Sequence, residues 1–581
     1  MQDVVSRAPT LTELDYAFRA ALGQATGGLS PTAFMAAWFD WAVQLGSSPG
    51  RQIELAQDAL HRALDAWTFA ARAATGTPVS PTEGLDGGAD PSYQGEAWSR
   101  YPYNVIARNY QHGAAFLNSL PKDLIGLAPR CADLVGFAVH QWLAALAPAN
   151  FLTTNPELQE LTRAEGGENL KRGFAHYLED LNRVVSGGTA VKPSELKVGK
   201  DLAITPGKVV YRNGLIELIQ YSPTTPDVYA EPVLITPAWI MKYYILDLSP
   251  RNSLVKYLVD LGHTVFMISW KNPEPGDRDF AMDDYVNDGF LAALDAVSTI
   301  VPGRPVHAVG YCIGGTLLAL AAAALAREGD TRLGSITLFA AQTDFSEPGE
   351  LSLFISRSQL ALLEAEMRRD GVLDSRQMGA AFAMLRPRDL IWQPIVSNYL
   401  KGERPAMIDL MAWNADGTRM PYKMHTEYLY RLYLDNELST GRFPYAGRPV
   451  SLADIKLPMF VVGTETDHVA PWKSVYKVEN LARSRDYTFL LTSGGHNAGI
   501  VSGPVHPKRQ HRLRTWRPGE RHVTPEEWFT SATREPGSWW PVWQRWLAQS
   551  SQGRVAPPAM GASDQGLPPI EDAPGQYVRA T

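Results

Sequence analysis

The apolar positions of this 581-residue chain follow two different patterns. Up to about residue 200 they recur at helical spacing, as at Leu11, Leu14, Phe18 and Leu22. Further helices are predicted over 105–120, 132–147 and 170–184. From about residue 201 onward, short continuous apolar runs alternate with helical stretches. Because continuous runs are typical of strands buried on both faces of a parallel sheet, a helical N-terminal region is predicted to precede an α/β domain.

The strands of the α/β domain are predicted at 209–211, 215–221, 232–236, 264–269, 306–309, 335–339, 458–462 and 487–491. The turn at Arg212-Asn213-Gly214 is typical of a hairpin and joins the first two strands. Segments 253–261 and 283–300 have helical periodicity and fit the crossover helices that a parallel sheet requires. The sequence therefore predicts a mostly parallel sheet with helices between its strands.

The interval between the strands near 339 and 458 is too long for an ordinary crossover. We expect residues 344–447 to form a mainly helical cap inserted over the carboxyl edge of the sheet. The other predicted divisions are a helical module at 1–75, a helical domain at 85–200, the α/β domain at 201–550 and a tail at 551–581. The tail is rich in Pro and Gly, so we expect it to be extended and poorly packed.

Composition and charge exclude several classes of protein. Lys plus Arg is 54 and Asp plus Glu is 61, a net charge of −7 that argues against nucleic acid as the main partner. The two cysteines rule out a disulfide scaffold and favour a reducing compartment. No secretory signal, metal-type Cys/His cluster or apolar run long enough to span a bilayer is visible in the sequence. We therefore expect a soluble, cytoplasmic protein without a metal.

The segment Gly310-Tyr311-Cys312-Ile313-Gly314-Gly315 lies between a predicted strand and an Ala/Leu-rich helix. This is the context of a nucleophile elbow, in which small residues are needed two positions before and after the nucleophile. Cys312 stands where serine is usual. The helix that begins directly after Cys312 favours thiolate over thiol. The alternative is that Cys312 is a small buried core residue.

An elbow enzyme needs an acid and then a histidine after later strands. Asp467 follows the strand at 458–462, and His496 follows the strand at 487–491. Their alternative roles are a helix N-cap and a turn residue between glycines. Glu465 and His468 are local competitors, but Asp467 lies farther into its loop than Glu465. We therefore predict Cys312, Asp467 and His496 as the catalytic set.

An oxyanion would be stabilised by two backbone N–H groups. The first is that of Ile313, which directly follows the nucleophile. The second normally lies in the loop after an early strand, where Trp239 and Ile240 are the candidates. The side chains of these residues are more simply interpreted as packing groups.

These motifs together resemble the polyhydroxyalkanoate synthase family, in particular the class I poly(3-hydroxybutyrate) polymerases. The resemblance spans nearly the whole chain and rests on the elbow with Cys in place of Ser, on 237–248, and on the loops of Asp467 and His496. Ala238 departs from the family pattern, in which Pro is usual. Further matching segments are 150–156, 166–168, 413–421, 538–541 and 573–578, and 11–52 resembles an N-terminal module found in a subset of the family.

The resemblance implies an α/β-hydrolase fold and polymerisation of (R)-3-hydroxyacyl groups from coenzyme A thioesters, with release of CoA. Cys312 would carry the acyl chain as a thioester, and His496 would deprotonate the thiol. Asp467 would either orient His496 or help to deprotonate the incoming 3-hydroxyl. No cofactor is implied, because the CoA thioester is the substrate. A homodimer at the surface of cytoplasmic polyester granules is the family expectation.

Two alternatives remain at this stage. The first is a Cys-dependent hydrolase of the same fold, such as a thioesterase or an intracellular polyester depolymerase. The second is a non-catalytic granule scaffold, which would need none of the three catalytic residues. Water exclusion separates a polymerase from a thioesterase, and the aromatic-rich cap, with Tyr428, Tyr430 and Tyr433, is the predicted barrier.

A basic stretch follows His496 and contains Lys508, Arg509, His511, Arg512, Arg514, Arg517 and Arg521. A solvated loop is the simpler interpretation of such a stretch. The functional hypothesis is that Arg512 and Arg514 attract the phosphates of CoA.

Overall fold

The computed structural model describes residues 11–76, 78–85, 90–186, 194–516 and 520–580. These residues divide into two compact units. The first unit contains the described residues of Met1–Gly28, Pro193–Met378 and Met407–Thr581. The second contains those of Leu29–Lys192 and Gly379–Ala406.

The first unit is built on an eleven-stranded sheet. Its strands in chain order are β1 (Gly207–Arg212), β2 (Ile216–Tyr221), β3 (Val233–Thr236), β4 (Val265–Trp270), β5 (Val306–Tyr311), β6 (Leu333–Phe339), β7 (Met459–Thr464), β8 (Tyr487–Thr492), β9 (Gln510–Trp516), β10 (Thr533–Pro536) and β11 (Glu571–Asp572). In space the order is β10-β9-β8-β7-β6-β5-β3-β4-β2-β1-β11. Strands β3 to β8 are parallel, and the strands on either side are antiparallel, which confirms the predicted mostly parallel sheet.

The central strands are buried along their whole length, as their continuous apolar runs predict. Helices Ala292–Ile300 and Ile313–Glu328 pack on one face of the sheet. Helices Leu254–Asp260 and Trp540–Gln549 pack on the other. Alternate residues of each strand enter the two cores, and burial of each Val, Leu or Ile contributes about 1.5–3 kcal/mol. The core therefore holds the carboxyl ends of the parallel strands in fixed positions.

The remaining helices of the first unit lie before, within and after the predicted cap. They are Leu11–Ala25, Met282–Asp284 continuing through Tyr285–Leu291, Arg357–Asp370, Asp409–Asn414, Tyr422–Glu427 continuing through Tyr428–Leu434, Trp472–Tyr476, Val478–Leu481 and Pro525–Ser531. Short paired segments at Val372–Leu373 and Met420–Pro421 join two parts of the cap. The helix Ser375–Leu385 begins in the first unit and ends in the second.

The second unit is helical, as expected for this part of the chain. Its helices are Pro31–Gly46, Pro49–Ala73, Tyr103–Ser119, Pro129–Leu146, Pro156–Ala164, Glu168–Val185, Arg388–Trp392, Gln393–Ile395 and Val396–Lys401. The last three come from within the predicted cap at 344–447. They lie in this unit because Glu168–Val185 binds them: Asn169 Nδ2 donates to the carbonyl of Leu400 at 2.8 Å. The predicted module at 1–75 is likewise divided, at Gly28.

Two expectations from the sequence are wrong. The middle of the basic stretch is not a loop, because Gln510–Trp516 forms β9 and pairs antiparallel with β8, whereas Lys508, Arg509 and Arg521 lie outside the strand. Arg517 lies outside the described residues. The tail is not poorly packed: its β11 pairs with β1, and the buried carboxylate of Glu217 accepts from the backbone N–H groups of Gln576 and Tyr577 at 3.0 Å. A segment without a regular apolar pattern is thus held by backbone pairing to the sheet edge.

Among the described residues, none of the helices combines the length and the apolar character that a membrane crossing requires.

Candidate active site

Cys312 lies in the tight turn between β5 and the helix Ile313–Glu328, which we call the elbow helix. Its backbone has φ 54° and ψ −128°, a conformation that residues other than glycine rarely adopt. A Cβ on Gly310 would overlap with the start of the elbow helix, and a Cβ on Gly314 would overlap with the carbonyl oxygens at the end of β3. The glycines are therefore required by close backbone approach, and the turn presents Cys312 at the carboxyl edge of the sheet.

The loops after β7 and β8 bring Asp467 and His496 together. Nδ1 of His496 lies 2.7 Å from Oδ2 of Asp467. Cys312 lies close enough to the same histidine to raise the pKa of its ring. The structure thus brings the three residues together, with His496 hydrogen-bonded to Asp467 and Cys312 beside the imidazole. Glu465, a competitor in the sequence, is exposed to solvent.

Asp467 is fixed by its own loop. Oδ2 accepts from the hydroxyl of Thr464 at 2.6 Å, and Oδ1 accepts from the backbone N–H groups of Val469 and Ala470 at 2.9 and 2.8 Å. The side chain is completely buried. A carboxylate held by four hydrogen bonds, the fourth to His496, has one orientation, so it sets the position of the imidazole.

The electrostatics of the pair favour its charged form. Burial alone would raise the pKa of Asp467, but the charge of His496 and the hydrogen bonds from His496, Thr464 and Ala470 together outweigh burial and lower it. Burial alone would lower the pKa of His496, yet the Asp467 carboxylate and the neighbouring Cys312 raise it well above its ordinary value. His496 is therefore able to hold a proton taken from a thiol near neutral pH.

The two backbone segments that are predicted to donate to an oxyanion both lie at the elbow. The N–H of Ile313 is the first of the elbow helix, so no carbonyl within that helix accepts from it. The loop that carries Trp239 and Ile240 leaves the end of β3, against which Gly314 packs. The hydroxyl of Thr418 donates to the carbonyl of Trp239 and ties this loop to the cap. The Trp239 side chain is buried against Trp270 and Tyr285, which fits a packing role.

Aromatic side chains surround the nucleophile. From the cap, Tyr428 and Tyr433 lie with ring centroids 5.3 Å apart, and Phe345 contacts Tyr433 at 4.8 Å. Burial raises the pKa of both tyrosines, and their proximity to Cys312 adds to the shift. From the sheet, the ring of Tyr311 stacks on His496 at 5.6 Å. We call Phe345, Tyr428 and Tyr433 the cap wall.

The predicted phosphate-binding arginines both lie on β9. Arg512 is directly opposite Arg534 of β10 and lines a small surface depression with Glu465, Leu491, Gln510, His511 and Arg534. Its guanidinium lies 4.4 Å above the ring of Phe529. Arg514 is farther from the carboxyl edge and stacks on Trp516 at 4.9 Å. Arg512 is therefore the better placed of the two.

Several neighbours of the three motif residues were not singled out from the sequence. Thr464 is the last residue of β7, and Tyr311 is the residue before the nucleophile. The hydroxyl of Tyr311 donates to Oδ1 of Asn497 at 2.6 Å, so it braces the residue after His496. The signal in the sequence that could have identified them is their position close to the motif residues.

Within the described part of the chain, no group of His, Cys, Asp and Glu is arranged to hold a metal ion.

Three family models match the chain. One of them, described as alpha/beta hydrolase fold, matches residues 231–502, the segment that contains Cys312, Asp467 and His496. Fold and site together define an α/β-hydrolase-fold enzyme with a cysteine at its elbow. A second model, described as the poly-beta-hydroxybutyrate polymerase (PhaC) N-terminus, matches residues 89–258. A third, described as poly-beta-hydroxybutyrate polymerase N terminal, matches residues 9–51. A monoacylglycerol lipase from Paleococcus ferrophilus, a solved structure, is 14% identical, with a TM-score of 0.33 over 58% of this chain and 99% of that chain.

Curated relatives cover most of the chain. The poly(3-hydroxyalkanoate) polymerase subunit PhaC of Rhizobium meliloti is 39% identical over 92% of this chain and 86% of that protein. The poly(3-hydroxyalkanoate) polymerase of Methylorubrum extorquens is 40% identical over 83% and 79%. The PhaC subunit of Cupriavidus necator is 37% identical over 84% and 83%. The chain belongs to the poly(3-hydroxyalkanoate) polymerase family, and the resemblance found in the sequence is confirmed.

Proposed function

We propose that this enzyme polymerises (R)-3-hydroxyacyl-CoA into polyhydroxyalkanoate and releases CoA, with the growing chain held as a thioester on Cys312. The observation that carries the proposal is that Cys312 lies beside the hydrogen-bonded pair His496–Asp467 at the elbow of a polymerase-family chain. No cofactor is proposed, because the CoA thioester brings its own activated carbonyl.

Loading begins when His496 takes the proton of the Cys312 thiol. The sulfur attacks the thioester carbonyl, and the N–H groups of Ile313 and Trp239 stabilise the oxyanion. The bond to the CoA sulfur then breaks, and CoA leaves with the proton returned by His496. Thioester exchange of this kind is nearly isoenergetic. Elongation follows when His496 takes the proton of a 3-hydroxyl and the hydroxyl oxygen attacks the acyl thioester. The new ester bond forms, the bond to the Cys312 sulfur breaks, and His496 returns the proton to that sulfur.

Asp467 fits the role of orienting His496 better than that of activating the 3-hydroxyl. Its Oδ2 is engaged by Nδ1 of His496 and by Thr464, and its Oδ1 by two backbone N–H groups. A carboxylate so fully bonded leaves little capacity to accept a further proton.

The decisive experiment is to incubate the purified protein with (R)-3-hydroxybutyryl-CoA and to follow free CoA and the acyl product together. We expect CoA release with formation of insoluble polyester. CoA release with only free 3-hydroxyacid would favour the alternative of a Cys-dependent thioesterase. Longer hydroxyacyl-CoA substrates test chain-length preference in the same assay.

Arg512 is expected to contribute to recognition of the CoA phosphates. Charge reversal in Arg512→Glu should raise KM for hydroxybutyryl-CoA by about 10-fold at low salt, as expected for loss of about 1.4 kcal/mol of ionic contact. Arg514→Glu should have a smaller effect because Arg514 lies farther from the edge. The control is an N-acetylcysteamine thioester, which lacks phosphates and whose KM should not change. Equal KM for wild type and Arg512→Glu at low salt would contradict the role.

We also propose that the enzyme works as a homodimer at the surface of polyester granules in the cytoplasm. Support for granule contact comes from apolar side chains that are exposed on one helix of the second unit, Glu168–Val185. They recur at helical spacing and include Phe174, Tyr177, Leu178, Leu181 and Val184. Association with an apolar polymer would cover this face.

A further inference from the structure

The N-terminal helix Leu11–Ala25 packs against the cap helix Arg357–Asp370 of the same unit. The guanidinium of Arg368 lies 4.4 Å above the ring of Tyr16. Farther along, Ala20 and Gly23 are buried, and a Cβ on Gly23 would overlap with the carboxylate of Glu366. The contact therefore extends over about two turns of the N-terminal helix.

A hydrogen bond secures the end of this contact. The side-chain amide of Gln359 donates to the backbone carbonyl of Gly28, just past the N-terminal helix. The buried Glu366 in turn accepts from Gln377 at 2.6 Å, which fixes its carboxylate beneath Gly23. The docked face contains Tyr16, Ala20 and Gly23 at a spacing of four and three residues, which is one side of a helix.

The apolar stripe that predicted this helix is not the face that docks. Leu11, Leu14 and Phe18 are 83%, 59% and 70% exposed. Attachment to the cap thus depends on an aromatic–guanidinium contact and on close approach at two small residues. Because these contacts are specific in position, the cap helix is held in one place along the N-terminal helix.

The cap helix also contacts the segment that carries the cap wall. Glu364 accepts from the hydroxyls of Tyr422 and Tyr430 at 3.3 and 3.5 Å. These tyrosines belong to the continuous helical segment from Tyr422 to Leu434, whose Tyr428 and Tyr433 pack against the same apolar cluster as Cys312. One set of contacts therefore runs from the N-terminal helix through Glu364 to the wall over the nucleophile.

We infer that the N-terminal helix is a strap that holds the cap wall in place over Cys312 and so protects the acyl thioester from water. The inference rests on the proposed function, since it concerns which of two nucleophiles, a 3-hydroxyl or water, attacks the acyl thioester. A 3-hydroxyl attacking the carbonyl gives an ester and extends the chain. A water molecule attacking the same carbonyl releases free acid and ends it. In both reactions the Cys312 sulfur is the leaving group and recovers a proton.

The test loosens the strap at two independent points. Tyr16→Ala removes the ring beneath Arg368, whereas Tyr16→Phe keeps the ring and should restore wild-type behaviour. Gly23→Leu raises the helix propensity of the N-terminal helix, but the new leucine side chain would collide with Glu366. This variant therefore weakens docking without weakening the helix itself. The matched control is Phe18→Ala, a change on the exposed face of the same helix.

Two quantities are measured on the full chain: hydrogen exchange across 357–370, and the ratio of free 3-hydroxyacid to polyester. Gly23→Leu should raise the acid fraction by about 5-fold and Tyr16→Ala by about 3-fold, with faster exchange in both, as for loss of a single contact of modest energy. Wild-type exchange and product ratio in Gly23→Leu would overturn the strap. A wild-type enzyme that forms no polyester would instead refute the proposed function, while the exchange data would still report on docking.

Discussion

Cys312→Ala should lower CoA release from (R)-3-hydroxybutyryl-CoA by about 10⁴-fold or more, the effect expected when a covalent nucleophile is removed. The elbow places one sulfur beside His496, and alanine offers neither a nucleophile nor a proton to transfer. Mass spectrometry of the wild type, quenched during turnover, should find the acyl group on the peptide that contains Cys312. The same peptide from Cys312→Ala should carry none.

Cys131 provides the matched control, because it is the other cysteine of the chain and lies in the helix Pro129–Leu146 of the second unit. Cys131→Ala should retain wild-type CoA release and the adduct on Cys312. An adduct on Cys131, or full activity in Cys312→Ala, would refute the thioester at the elbow.

The elbow was predictable because its chemistry and its geometry are local in sequence. A nucleophile between Gly310 and Gly314, preceded by an apolar strand and followed by an Ala/Leu helix, is a pattern that few turns besides the elbow produce. Asp467 and His496 were also predictable, since each directly follows a strand whose apolar run is distinct. The parallel sheet brings their loops to one edge, so strand order along the chain was sufficient.

Features that depend on distant partners were not predictable. Strand β9 alternates charged residues with apolar or small ones, which is the period of a strand. Its arginines favoured a solvated loop instead, and only the pairing with β8 shows that the segment is a strand. The tail is held by Glu217, more than 300 residues earlier in the chain, and nothing within 551–581 indicates that partner. The docking of Tyr16 on Arg368 has the same character: the helix was predictable, but not the face that would be buried.

Asp467→Asn should lower kcat by about 10³- to 10⁴-fold, because an amide no longer holds the imidazole in its working tautomer or stabilises its positive charge. Thr464 and the backbone N–H groups remain in place to hold the substituted side chain, so the loop should keep its conformation. Glu465→Gln is the matched control, since it removes a neighbouring carboxylate that is exposed to solvent.

The same variant makes a prediction about pH. The carboxylate of Asp467 is a main cause of the raised pKa of His496, so its removal lets burial pull that pKa down. His496 then loses its proton at lower pH, and any step that needs the imidazolium, such as protonation of the departing CoA sulfur, fails earlier as pH rises. The alkaline limb of the kcat/KM profile should therefore move to lower pH in Asp467→Asn and stay in place in Glu465→Gln. An alkaline limb that does not move in Asp467→Asn would show that this carboxylate does not set the charge of His496.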